Sequence, residues 1–136
     1  MVKLIVGSKG TGKTQKLVEL VKKAVEEESG SVVCLEKDKN LTFDIPHTVR
    51  LIHASDYSFK SIEFFKGFIS GLHAANYDIS HVFIANILKI CEDVDMDKVA
   101  LLLGELDAFG EKENIKFTVT ATVNPETLGD NIKKYC

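Results

Sequence analysis

At 136 residues, with 45% hydrophobic and 27% charged side chains, the sequence predicts one soluble globular domain, able to bury about two-thirds of its unfolded surface. A net charge of −3 and an acidic pI near 5.8 argue against a strong electrostatic grip on nucleic acid. No apolar run approaches the ~20 residues that span a bilayer. Three cysteines without metal-type spacing suit a reducing compartment, and a strand starting at residue 2 leaves no room for a signal peptide, so the expected setting is the cytoplasm.

In chain order, Val2, Leu4, Ile5 and Val6 form an apolar run that reads as a strand. It leads into Gly7-Ser8-Lys9-Gly10-Thr11-Gly12-Lys13-Thr14, which satisfies G-x-x-x-x-G-K-[ST] without mismatch. Leu17, Leu20, Val21, Ala24 and Val25 then recur at helical spacing. Strand, glycine-rich turn and helix together make a phosphate cradle. The glycines permit left-handed turns, and successive N–H groups point inward at the positive end of the helix. In such a cradle Lys13 reaches the β- and γ-phosphates and the Thr14 hydroxyl sits on Mg²⁺.

The first helix is expected to end near Glu28, with Gly30 at its C′ position. Ser31–Leu35 reads as a buried strand, and Cys34 within it as a small core residue. Residues 37–48 read as a polar loop with room for a short edge strand at Leu41–Phe43, and Val49–His53 as the next strand. Ile62, Phe65, Phe68, Ile69 and Leu72 share one helical stripe, with Ser58 as candidate cap. Gly67 and Gly71 on that helix suit close helix–sheet packing. His81–Ala85 is the next strand, and Asp95 caps a helix with the stripe Val99, Leu102, Leu103, Leu106 and Phe109. Phe117–Ala121 is the last strand, and Asn124-Pro125 opens a final helix. The alternation implies a three-layer α/β fold with a mostly parallel central sheet and helices on both faces.

Residues 7–14 resemble the P-loop nucleoside-triphosphate-binding proteins. With the Glu36 segment, His81–Ile84 and the Thr118–Pro125 ending, the whole chain is similar to short bacterial ATP-binding P-loop proteins of the RecA-like branch. That resemblance implies an Asp at the end of Val82-Phe83-Ile84-Ala85, holding the water shell of Mg²⁺. Here the residue is Asn86, whose amide oxygen accepts hydrogen bonds but brings no charge. The resemblance also puts a water-activating Glu at Glu36, beyond the second strand. Thr120 or Thr122 ends the last strand, and if that strand borders the P-loop strand, one hydroxyl can sense the γ-phosphate, Thr120 first. The implied catalytic set is Lys13, Glu36 and Thr120, and the implied metal set Thr14 and Asn86.

Other signals are discounted. Asp107-Ala108-Phe109-Gly110 matches D-x-x-G but sits in a helical stripe, and no N-K-x-D guanine motif occurs, so GTP specificity has no support; ATP and Mg²⁺ are what the resemblance implies. His47, His53, His73 and His81 lack metal-ligand spacing. Glu26-Glu27-Glu28 and the cluster Glu92, Asp93, Asp95 and Asp97 read as solvated helix ends. Arg50 is the only arginine, and there is no insertion for a lid, which disfavours a small-molecule kinase. The expected function is ATP binding with slow or regulatory hydrolysis; the alternative is a non-catalytic nucleotide-binding module. A protein partner or self-association stays open.

Overall fold

The computed structural model describes residues 1–91 and 94–136. Five strands, β1 (Val2–Gly7), β2 (Ser31–Glu36), β3 (Arg50–His53), β4 (Ile79–Ile84) and β5 (Lys116–Thr122), form one sheet in the order β1-β5-β4-β2-β3. Every pairing is parallel. Among the described residues five α-helices accompany them: α1 (Lys13–Glu27), α2 (Ile62–Ala75), α3 (Ile87–Ile90), α4 (Met96–Glu113) and α5 (Asp130–Lys133). Because β5 lies between β1 and β4, its carboxyl end faces the loop leaving β1.

Alternation along the strands divides the core between two faces. Val33 and Leu35 of β2 and Phe117 and Val119 of β5 pack under α2 and α4, against Phe65, Ile69, Leu102 and Leu106. Val32, Cys34 and Phe83 point the other way, under Leu17, Val21 and Ala24 of α1. One long helix cannot cover that second face. Leu41, Ile45 and Val49, anchored between β2 and β3, complete the cover. The Leu41–Phe43 segment is therefore a run of turns and not the edge strand expected from its residues. Leu41 and Ile45 are drawn inward by burial, and Ile45 N–H reaches back to the Leu41 carbonyl.

Several local expectations change. Ser61, not Ser58, caps α2, its Oγ accepting the Phe64 N–H at 3.1 Å. Asp95 caps α4 through the Lys98 N–H at 2.9 Å. Asn124-Pro125 opens only a 3-10 turn, Pro125–Thr127, and α5 follows separately. Gly30 is not a left-handed cap, because α1 ends on Glu28 in an extended conformation. It is needed for close approach: a Cβ there would stand 2.5 Å from the Asp78 carbonyl oxygen. Gly67 and Gly71 are exposed, and a Cβ on either would meet nothing within 4 Å, so neither serves close packing.

Glu28 is not a solvated helix end either. Its carboxylate accepts from His81 Nδ1 at 2.8 Å, while Lys116 stands 3.9 Å away. His81 Nε2 meets Thr118 Oγ1 at 2.8 Å, and the imidazole stacks on Phe83. Burial outweighs the pull of Glu28 and lowers the His81 pKa. Of the second acidic cluster, Glu92 and Asp93 lie outside the described residues. Among the described residues, no helix is long and apolar enough to cross a membrane.

Candidate functional site

The glycine-rich loop leaves β1 at Gly7 and enters α1 at Lys13. Gly10 and Gly12 both adopt φ +84°, in the left-handed region that side chains resist. A Cβ on either would meet nothing within 4 Å, so backbone conformation alone requires glycine there. At Gly7 a Cβ would stand 2.5 Å from Thr11 Oγ1, so it would displace that hydroxyl. Thr11 Oγ1 and Lys13 Nζ each donate to the Ser8 carbonyl at 2.8 Å, which holds the lysine head against its own loop.

A cavity of about 600 Å³ opens between this loop and the strand ends, lined among others by Lys9, Lys13, Thr14, Asp44, Asn86, Thr120 and Thr122. Strand register explains the convergence. Thr122 lies opposite Gly7 and Thr120 opposite Ile5, so β5 does border the P-loop strand. Thr120 Oγ1 accepts the Asn86 backbone N–H at 2.8 Å. That bond clamps Asn86 in a left-handed conformation, φ 56°, which asparagine tolerates better than most residues.

Asn86 Oδ1 is buried and, among the described residues, has no hydrogen-bond partner. Leaving such an oxygen unsatisfied costs about 1–3 kcal/mol. A hydrated cation would remove that cost, since hard divalent ions take hydroxyl, amide and water oxygens. The pair Thr14 and Asn86 fits Mg²⁺ in donor type, though both are neutral.

Glu36, only 3% exposed, stands at the end of β2. Its two oxygens share the Leu41 N–H at 3.2 Å each, so the carboxylate ties down the 37–48 loop. His53 Nδ1 lies 3.6 Å from Glu36 Oε2 and 2.7 Å from the Asp38 carbonyl. A carbonyl only accepts, so this nitrogen carries the proton. Burial pushes the Glu36 carboxyl above its usual range, against the opposing pull of Leu41 and His53. A smaller cavity of about 150 Å³ joins Glu36 to Thr14 and Asn86, with the Asp38–Lys89 ion pair at its rim.

The structure thus brings Lys13, Thr14, Asn86 and Thr120 to one cavity and Glu36 to its neighbour. Asp44 was not expected there. It stands in a polar loop with no motif around it, and only the burial of Leu41 and Ile45 on either side turns that loop toward the cradle.

No protein-family model and no curated protein sequence matches the chain. Solved structures do. A KaiC-like protein from the hyperthermophilic archaeon Pyrococcus horikoshii superposes with a TM-score of 0.69 at 15% identity, over 98% of this chain and 66% of that one. The flagellar accessory protein FlaH from Methanocaldococcus jannaschii gives 0.59 at 14% identity, over 98% of this chain and 65% of that one. The chain therefore has the three-layer α/β P-loop fold expected from its sequence, and spans just under two-thirds the length of these neighbours.

Proposed function

We propose that the chain binds ATP with Mg²⁺ through Gly7–Thr14 and hydrolyses it slowly or uses it as a switch. The observation that carries this reading is the cradle itself: Gly10 and Gly12 at φ +84° aim the loop at a cavity shared with Lys13, Thr14 and Asn86. Packing does not require glycine at either position, since a Cβ on each would meet nothing within 4 Å; the turn geometry does.

In this reading Lys13 exchanges the Ser8 carbonyl for the β- and γ-phosphates. Thr14 and the orphaned Asn86 oxygen hold Mg²⁺, which when bound neutralises phosphate charge. Glu36 orients the attacking water from the adjacent cavity; a carboxyl with a raised pKa is a stronger base than an ordinary one. Thr120 already accepts from Asn86 N–H, and its own hydroxyl proton is available to report a γ-phosphate. A neutral residue at 86 predicts weak turnover.

A non-catalytic nucleotide module is the second reading, favoured by the engagement of the Glu36 carboxylate with Leu41. Titrating ATP and ADP by calorimetry, alongside phosphate release, separates the two. The ATPase reading expects slow release that rises in Asn86→Asp and falls in Glu36→Gln. No release from any of the three, with ATP still bound, leaves the non-catalytic module. Failure of the wild type to bind either nucleotide contradicts both.

A further inference from the structure

We propose that Asp44, from the loop between β2 and β3, supplies the carboxylate charge that the cation site lacks at residue 86. The inference rests on the nucleotide reading above and deepens it. Among the described residues lining the 600 Å³ cavity, which include Lys9 and Lys13, Asp44 is the only carboxylate. Glu36 and Asp38 line the smaller cavity beside Thr14 and Asn86, but Glu36 is engaged with Leu41 N–H and Asp38 with Lys89. Its place there is fixed. Leu41 and Ile45 on either side are buried beneath α1, and the Asp44 and Ile45 N–H groups donate to the Leu41 carbonyl at 3.0 and 3.1 Å. Leu41 N–H is in turn held by Glu36.

The Asp44 side chain itself is exposed, with no hydrogen bond or ion pair among the described residues. It contributes nothing visible to the fold, yet the fold holds it at the phosphate cavity. A lone carboxylate beside a triphosphate is unfavourable, because like charges repel. With a divalent cation between them the same charge becomes attractive. In the same cavity lining, the Asn86 oxygen, unpartnered among the described residues, independently marks a place for a cation or its bound water. Asp44 therefore holds Mg²⁺ directly or through a bound water, with Thr14 and Asn86 as its neutral oxygen partners.

This gives Asp44 a sign that no other role shares. It weakens ATP binding without metal and strengthens it with metal. Calorimetry of ATP binding in EDTA and in Mg²⁺, with Mn²⁺ paramagnetic resonance as a direct reading of the ion, tests it. Asp44→Asn is expected to lower the metal-dependent gain in ATP affinity about 10- to 100-fold, with metal-free affinity unchanged or higher. Asp44→Glu keeps most of the gain. Adding Asn86→Asp to Asp44→Asn restores it, because the charge returns at residue 86. Unchanged metal dependence in Asp44→Asn overturns the proposal while the nucleotide reading survives. Equal loss with and without metal also overturns it, since Asp44 would then contact the base or ribose. A wild type that binds no ATP under either condition removes both.

Discussion

The two poles of the sheet differ in what surrounds their polar groups, although the same strand serves both. At the amino pole, β5 offers Thr118 to His81, which is bound to Glu28, with Lys116 near by. Apart from the Ser80 hydroxyl, the buried polar side chains described there have partners within the fold. At the carboxyl pole, the same face of β5 offers Thr120 and Thr122. Thr120 Oγ1 accepts the Asn86 N–H and holds it in a left-handed turn, and among the described residues Asn86 Oδ1 has no partner. Gly10 and Gly12 add further left-handed backbone. Among the described residues each pole thus leaves one buried side-chain atom without a partner, Ser80 Oγ at one and Asn86 Oδ1 at the other, but only at the carboxyl pole does that atom belong to a residue lining a cavity beside the glycine-rich loop.

The comparison breaks most severely if the amino pole is disturbed. Gly30→Ala drives a Cβ into the Asp78 carbonyl oxygen and the Ser80 side chain. It is expected to cost about 1–3 kcal/mol in urea denaturation with ATP affinity unchanged; a loss of affinity would mean that the poles are coupled. Thr120→Val probes the other pole with nearly the same shape. It strands the Asn86 N–H at a cost of about 1 kcal/mol, and unlike Gly30→Ala it also weakens metal-dependent ATP binding.

The smallest effect concerns pH. Burial lowers the His81 pKa, so the neutral imidazole is favoured in the fold, between Glu28, Thr118 and Lys116 and above Phe83. That contribution is present above the unfolded value of about 6.5 and is lost as pH falls through the lower folded value. Urea midpoints of the wild type should therefore drop more between pH ~7.5 and ~5.5 than those of His81→Gln. Parallel slopes would deny His81 this role.

The cradle was legible because its chemistry is local: eight consecutive residues, with an apolar strand before and a helical stripe after, carry the whole geometry. Strand and helix order was legible for the same reason, through periodicity. What escaped depends on partners distant in sequence. Glu28 looked like the end of an acidic run, and only the arrival of β4 sets His81 against it. Gly30 looked like a helix cap, yet its neighbour is Asp78 on the far side of the chain. Gly67 and Gly71 were paired by spacing alone, which does not say which side of α2 faces the sheet. Asp44 reaches the cavity because Leu41 and Ile45 substitute for a second covering helix, something no local pattern announces.

The account turns on which pole takes nucleotide, and amide chemical-shift mapping during an Mg-ATP titration measures that directly. The expected shifts fall on Gly7–Thr14, Asp44, Asn86, Thr120 and Thr122, with Glu28, His81 and Thr118 unmoved, and they vanish in Lys13→Ala. Shifts centred on Glu28 and His81, or none in the loop at saturating Mg-ATP, would contradict it.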